Sequence, residues 1–395
     1  MSTEALFPTP CFVIREELLS ENIGGFRQEL DRLWPGSRLA YSVKTNSLPW
    51  ILSWMKDQDV DAEVVSDEEY ELALLCGFPD DRIVFNGPVK GRQALLRGVS
   101  SGAVVNLDSR SDLEILVREK PAVAGRLGLR VNMNPDLFSP EDVGYQQDGF
   151  RFGYSEETGA LAEAVDLLSG ITDGKSLGLH IHVNSVTRSP RVYAASAGYA
   201  ARLVRKYGLT PAYVDIGGGF FGGVPGKPSP EEYVRVIRDA LVPAVDPDRT
   251  RLILEPGSAA VGSAVELHTA VLDVKDTARG RIVTTDGSRI HIDPLWQKSR
   301  YLFTSSASRP PVPRQVVCGY TCMDHDRLMV LENQPELSVG DRIVYHRVGN
   351  YTVTFGGPFI RPFPPVWVRR ADGSRLLVRK QMTVREYYGM ETAES

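Results

Sequence analysis

Lys44 ends the apolar run of residues 38–43 (RLAYSV) and is followed by Thr45 and Asn46. A lysine at a strand end can be partly desolvated, which suits its amine to imine formation. A solvated surface charge is the commoner reading of that residue type. Residues 215–220 (DIGGGF) place three glycines after another apolar run. Backbone N–H groups can then approach an anion closely, and phosphate is the usual client. A tight turn explains the triplet equally well, and the GxGxxG spacing of dinucleotide binders is absent. Glu255, in residues 254–257 (LEPG), also follows an apolar run. A carboxylate there can keep a ring nitrogen protonated, or simply cap a turn. His180 and His182, in LHIHVNS, share one face of a strand while Ile181 points away. No third ligand stands near them in sequence, so no metal is expected, and one functional histidine beside a structural one is. Cys322, in residues 319–326 (GYTCMDHD), lies in a polar turn, where a structural thiol is the default.

The elements that must position these groups fall into two textures. From about residue 35 to 260, short apolar runs alternate with helical stretches such as residues 67–76 and 160–168. Seven or eight strand–helix alternations over this length read as parallel βα units the size of a (β/α)8 barrel. After about residue 262, short β-like runs follow one another between turns rich in Gly, Pro and Asp, as an antiparallel β domain requires. The run 11–14 reads as a strand that joins this second domain from the other end of the chain. The fold class is therefore α/β: a TIM-type barrel over residues 31–262, with a β domain from residues 1–30 and 263–395. Residues 309–314, rich in proline, are expected to form a mobile loop.

Composition narrows the function classes. The 395 residues are 42% hydrophobic and 24% charged, ordinary for a globular protein. A net charge of −5 offers no basic field for nucleic acid or an anionic membrane. No apolar run approaches the roughly 18 residues that span a bilayer. The opening MSTEALFPTP lacks the pattern of a secretory signal, and four sparse cysteines suit a reduced, cytoplasmic protein.

Taken in order, these motifs resemble the ornithine/diaminopimelate decarboxylase family, barrel enzymes that use pyridoxal phosphate. The likeness runs from Thr9-Pro10 to Tyr351. It matches the lysine element at Lys44, the basic-Phe-Gly element at Arg151-Phe152-Gly153 and a His-x-Gly-Ser element at His182 to Ser185. It matches the phosphate loop at Gly217, Gly218 and Gly219, the Glu-Pro-Gly element at Glu255 to Gly257, a cysteine motif at Cys322 with Asp326, and a Gly-x-Tyr element ending at Tyr351. The resemblance implies that Lys44 holds the cofactor and Glu255 its ring nitrogen. It implies that His182 stacks on the ring, that Ser185, Gly257, Tyr351 and the glycines take the phosphate, and that Cys322 protonates the product. It further implies a head-to-tail homodimer with shared sites and a small amino-acid substrate.

The departures fall mostly where the family reads its substrate. Asn184 replaces a glycine beside the cofactor, and Ser258 stands where an arginine normally follows Glu-Pro-Gly. Met323 replaces the acid after the cysteine, and Asp293 precedes Pro294 where diaminopimelate decarboxylases carry an arginine. Asp293, Met323 and Asp326 are the expected substrate contacts. The expected activity is decarboxylation of an amino acid or amino-acid conjugate in a specialised biosynthetic pathway. The alternatives are a diaminopimelate or basic amino-acid decarboxylase, a racemase on the same fold, and a non-catalytic homologue that binds the cofactor for regulation.

Overall fold

The computed structural model describes residues 6–390 except Gln146, Ser299 and Gly356, and except the side chain of Lys175. Half of the opening MSTEALFPTP thus lies outside the described residues. The chain divides into two compact units, Asn22–Ala260 and a second made of Met1–Glu21 with Val261–Ser395. The boundary expected at residue 31 falls inside the helix Glu16–Leu33, and the division comes earlier. Asn22 explains it, because its amide donates to the Ala260 carbonyl at 2.8 Å and ties the rest of the helix to the first unit.

In that unit eight strands form one closed ring: β1 (Arg38–Ser42), β2 (Asp61–Val64), β3 (Ile83–Phe85), β4 (Val104–Leu107), β5 (Arg126–Asn132), β6 (Gly178–His180), β7 (Tyr213–Asp215) and β8 (Arg251–Leu254). Every neighbouring pair is parallel, and β8 pairs with β1 to close the barrel. Two of the helices between them start on reciprocal capping boxes, Ser109 with Asp112 and Ser229 with Glu232. Ala40, Val84, Val104, Tyr213 and Ile253 pack together as an apolar layer inside the ring. Above that layer the lumen turns polar. The Tyr213 hydroxyl donates to Asn106, whose amide donates to Asn86, whose amide in turn donates to Glu63 and Glu255.

The second unit is built on one sheet. The N-terminal strand Cys11–Arg15 lies between Val265–Thr277, antiparallel to it, and Val366–Arg369, parallel to it. Gly280–Thr285 and Pro311–Cys318 also pair in parallel, so the expected antiparallel sheet is mixed. No hairpin joins either parallel pair, so no short turn dictates their direction. The proline-rich residues 309–314, expected as a loop, enter the strand Pro311–Cys318. Its other neighbour begins only at Gln315, so Pro311 and Pro313 occupy an edge where no ladder N–H is missed. Among the described residues no helix is long and apolar enough to cross a membrane.

Candidate active site

The carboxyl ends of the barrel strands carry the polar groups, as this architecture does generally. Lys44 lies in a 3-10 turn, Val43–Thr45, directly after β1. Its Nζ donates to Ser42 Oγ and to Glu63 Oε2, both at 2.7 Å, and its side chain is 41% exposed, so the amine is held but reachable. Glu63, on β2, is fully enclosed. Burial pushes its carboxyl up, but the Lys44 ammonium and the hydrogen bonds from Lys44, Ser42 and Asn86 together hold it below the ordinary carboxylate range.

Glu255 follows β8 and accepts a hydrogen bond from Asn86 at 2.6 Å. Burial, then the charges of Asp215 and Glu63, raise its carboxyl well above the usual value. Burial raises Asp215 as well. Glu255 is thus a buried acid short of cationic partners. His180, 1% exposed, has no hydrogen-bond partner on either ring nitrogen among the described residues and is held neutral by burial. Contrary to expectation, acids do stand near it: one ligand atom each of His180, Asp215 and Glu255 lie within 4.8 Å of one another. Asp215 is engaged by the Gly217 N–H and Glu255 by Asn86, which makes the trio a hydrogen-bonded floor before it is a metal cage.

His182 follows β6. Its Nδ1 accepts from the Gly218 N–H at 3.3 Å and its carbonyl from Arg130 at 3.1 Å. Burial, then the Arg130 and Lys44 charges, push its imidazole down to about 3, so the ring is neutral. Gly217, at φ +69, and Gly219, at φ +88, form the loop after β7. A Cβ on Gly217 would lie 2.6 Å from His182, so only glycine lets the loop close on that ring. Ser185 is buried, donating to the Asp142 carbonyl and accepting from the Arg188 N–H. Gly257 abuts Thr45 and Ser42, which brings the Glu-Pro-Gly turn against the lysine turn. A cavity of about 490 Å³ opens beside His182, with apolar walls from Met133, Phe150, Phe152 and Val183 and polar ones from Arg151 and Asn184.

The other expected site residues belong to the second unit. Cys322 is a free, exposed thiol, Met323 is half-buried, and Tyr351 is half-buried beside Phe355. Two of the expected substrate contacts are buried there and engaged by neighbouring residues. Asp293, 3% exposed, accepts from Arg289 Nε and Nη2, the Gln297 and Lys298 N–H groups and the Tyr301 hydroxyl. Asp326, 2% exposed, accepts from Ser288, from Thr321 and from the Arg289 N–H. Both carboxylates are buried and engaged by their own loops. Glu63, Asn86 and Arg130 were not singled out in the sequence. The alternation of Asp61 and Glu63 with Ala62 and Val64 is the signal that would have disclosed β2.

The residues present fit pyridoxal phosphate. A reachable amine is held by a buried carboxylate, and a second buried acid lacks the counter-charge that a protonated ring nitrogen would bring. A neutral imidazole and a side-chain-free glycine loop complete the set. Comparison with known proteins agrees. The family model for the pyridoxal-dependent decarboxylase, pyridoxal binding domain, matches residues 19–262. Diaminopimelate decarboxylase from Archaeoglobus fulgidus is 27% identical over 87% of this chain and 83% of its own length. L-glutamyl-[BtrI acyl-carrier protein] decarboxylase from Niallia circulans is 23% identical over 95% of this chain and 92% of its own. The crystal structure of diaminopimelate decarboxylase from M. jannaschi superposes with a TM-score of 0.84 at 22% identity, covering 98% of this chain and 93% of that one. The chain belongs to the pyridoxal-dependent decarboxylases, and it is an amino-acid carboxy-lyase whose cofactor is pyridoxal phosphate.

Proposed function

We propose that the protein removes the α-carboxylate from an amino acid whose side chain has no free terminal carboxylate. One observation carries this reading. Where the resemblance calls for arginines stand Ser258 and Asp293, and Asp293 is already consumed by Arg289 and its own loop. A distal carboxylate buried without an anchor would cost about 1–3 kcal/mol. Met323 offers flexible apolar contact and no charge. A conjugated or neutral tail meets these conditions, and the cavity beside His182 has the size and mixed lining to receive one. The Niallia relative, by its name, acts on a carrier-linked glutamyl group.

A basic amino acid is the second reading. The Archaeoglobus relative is named for diaminopimelate, which bears two amines, and exposed Asp324 beside Met323 offers a carboxylate to a distal ammonium.

Pyridoxal phosphate bound at this site supplies the electron sink for the pair left when carbon dioxide departs. Lys44 would hold the cofactor through its Nζ, which Ser42 and Glu63 orient. Glu255 would hold the ring nitrogen, the neutral His182 would limit tilting of the ring, and Ser185, Gly217, Gly218, Gly219, Gly257 and Tyr351 would take the phosphate. Cys322 Sγ delivers the proton that completes the amine product. Two copies of the chain paired head to tail would supply both sets of residues.

The test is a substrate panel with cofactor-loaded protein, following carbon dioxide and amine release. Diaminopimelate should fall at least about tenfold in kcat/KM below the best substrate, the value of one lost charge-assisted hydrogen bond. Diaminopimelate turnover near 10⁴ M⁻¹s⁻¹, on the ordinary enzyme scale, overturns the reading.

A further inference from the structure

The end of the barrel away from Lys44 carries four arginines, two of which share one buried carboxylate. Residues two apart on a strand share a face, and Ala40, Val84 and Ile253 lie inside the ring against Tyr213. Arg38 and Arg251 each stand on a strand two residues before one of these, while Arg82 closes the 3-10 turn that precedes β3. Arg126 stands two before Gly128, where a Cβ would meet the Tyr213 hydroxyl at 2.1 Å. The side chains of Arg38, Arg126 and Arg251 therefore start toward the lumen, below its apolar layer.

Asp61, 3% exposed, serves two of them, accepting from Arg38 at 2.8 Å and from Arg82 at 3.0 Å. Arg82 has a further partner in exposed Asp59. Arg126 and Arg251 are half-buried, and among the described residues neither side chain has an ion pair or hydrogen bond. Burial, then the nearby charges of Arg126 and Arg38, push Arg251 below its ordinary value. Like charges held together and partly desolvated are unfavourable, and an anion between them removes that cost while filling guanidinium forks that match oxyanion geometry.

We propose that the N-terminal mouth of the barrel, between Arg126, Arg251 and Arg38, binds a compact oxyanion of at least two negative charges, phosphate being the simplest. Its groups are separate from those at the carboxyl ends of the strands, where the chemistry sits. Residues at this face of a barrel serve stability, so the bound anion stabilises the fold and leaves turnover unchanged.

The test melts cofactor-loaded protein in phosphate, pyrophosphate or citrate, each against sodium chloride at equal ionic strength. Loading the cofactor keeps the glycine loop from answering for the arginines. At ten times the dissociation constant the midpoint should rise by about 2–3 °C for a chain of this size. The Arg126→Gln/Arg251→Gln variant should lose most of that rise at unchanged kcat. A larger response to pyrophosphate than to citrate assigns phosphoryl recognition, and the reverse assigns carboxylates, both within the proposal. If the double variant does not fold, each single variant must still at least halve the rise. An equal rise in wild type and variants, or one that chloride reproduces, overturns it.

Discussion

Glu63→Gln removes one charge and changes almost no volume, which makes it a sharp probe of what holds Lys44. In the wild type one carboxylate oxygen accepts from both Lys44 Nζ and Ser42 Oγ, and the other from Asn86. The amide can keep one acceptor, so at least one of these donors must turn away. A hydrogen bond to a charged group is worth about 1.5–3 kcal/mol, or roughly tenfold to 150-fold. Breaking a fully buried pair costs about 3–5 kcal/mol, but Lys44 is 41% exposed and water can replace part of the loss. We therefore expect about 1 kcal/mol of stability to be lost, a midpoint drop of about 1–2 °C. Turnover should suffer more, with kcat/KM down about tenfold to 100-fold because the amine is no longer aimed. Glu63→Asp should recover part of it. The stability gap also has a pH signature. Glu63 titrates below its unfolded value, so its contribution is complete above about pH 5 and fades as pH falls through the lowered value. Melts and steady-state rates between pH 3 and 8, pH values chosen around the carboxylate range, decide the matter. A variant within twofold of wild type in kcat/KM at neutral pH would refute the role given to Glu63.

Three further outcomes are expected. Lys44→Ala should lose the visible absorbance of the lysine-bound cofactor and all turnover while keeping its melting transition; retained absorbance would remove Lys44 from its role. Gly217→Ala should weaken cofactor binding at least about tenfold, since its Cβ would press on His182 from a backbone at φ +69; equilibrium dialysis against pyridoxal phosphate measures it, and unchanged affinity would mean that the loop does not close on the cofactor. Mixing Lys44→Ala with Cys322→Ala protein should restore up to about a quarter of activity if each site draws on two chains, as symmetric pairing implies; no recovery after verified exchange would assign each site to one chain.

The parts of this protein that were legible in the sequence are those that follow a visible apolar run. Lys44 after RLAYS, Glu255 after RLIL and the glycines after YVD each sit at the end of a strand whose buried residues announce it. β2 has no such run. Its four residues, DAEV, are all buried, yet two are acids, so no apolar run marks the strand that carries Glu63. Asn86 and Arg130 were hidden for a related reason: each looks like an ordinary polar residue until the ring closes and aims it at a carboxylate or a carbonyl. Asp293 failed in the opposite direction. Its type and place suggested a substrate contact, but the arginine four residues earlier and two loop N–H groups compete for the same oxygens, and that competition exists only in three dimensions.

The strand Cys11–Arg15 has a consequence for how the chain is made. It leaves the ribosome first, yet its parallel partner Val366–Arg369 leaves about 350 residues later. At about 5–20 residues per second that interval is about 20–70 s. The whole of Asn22–Ala260 emerges within it and can close its ring while Phe12, Val13 and Ile14 still await their sheet. For that time a strand that ends fully buried is an exposed apolar edge, the kind of segment that chaperones cover. A deletion of only the first 15 residues would therefore take the middle strand from a sheet assembled at the far end of the chain.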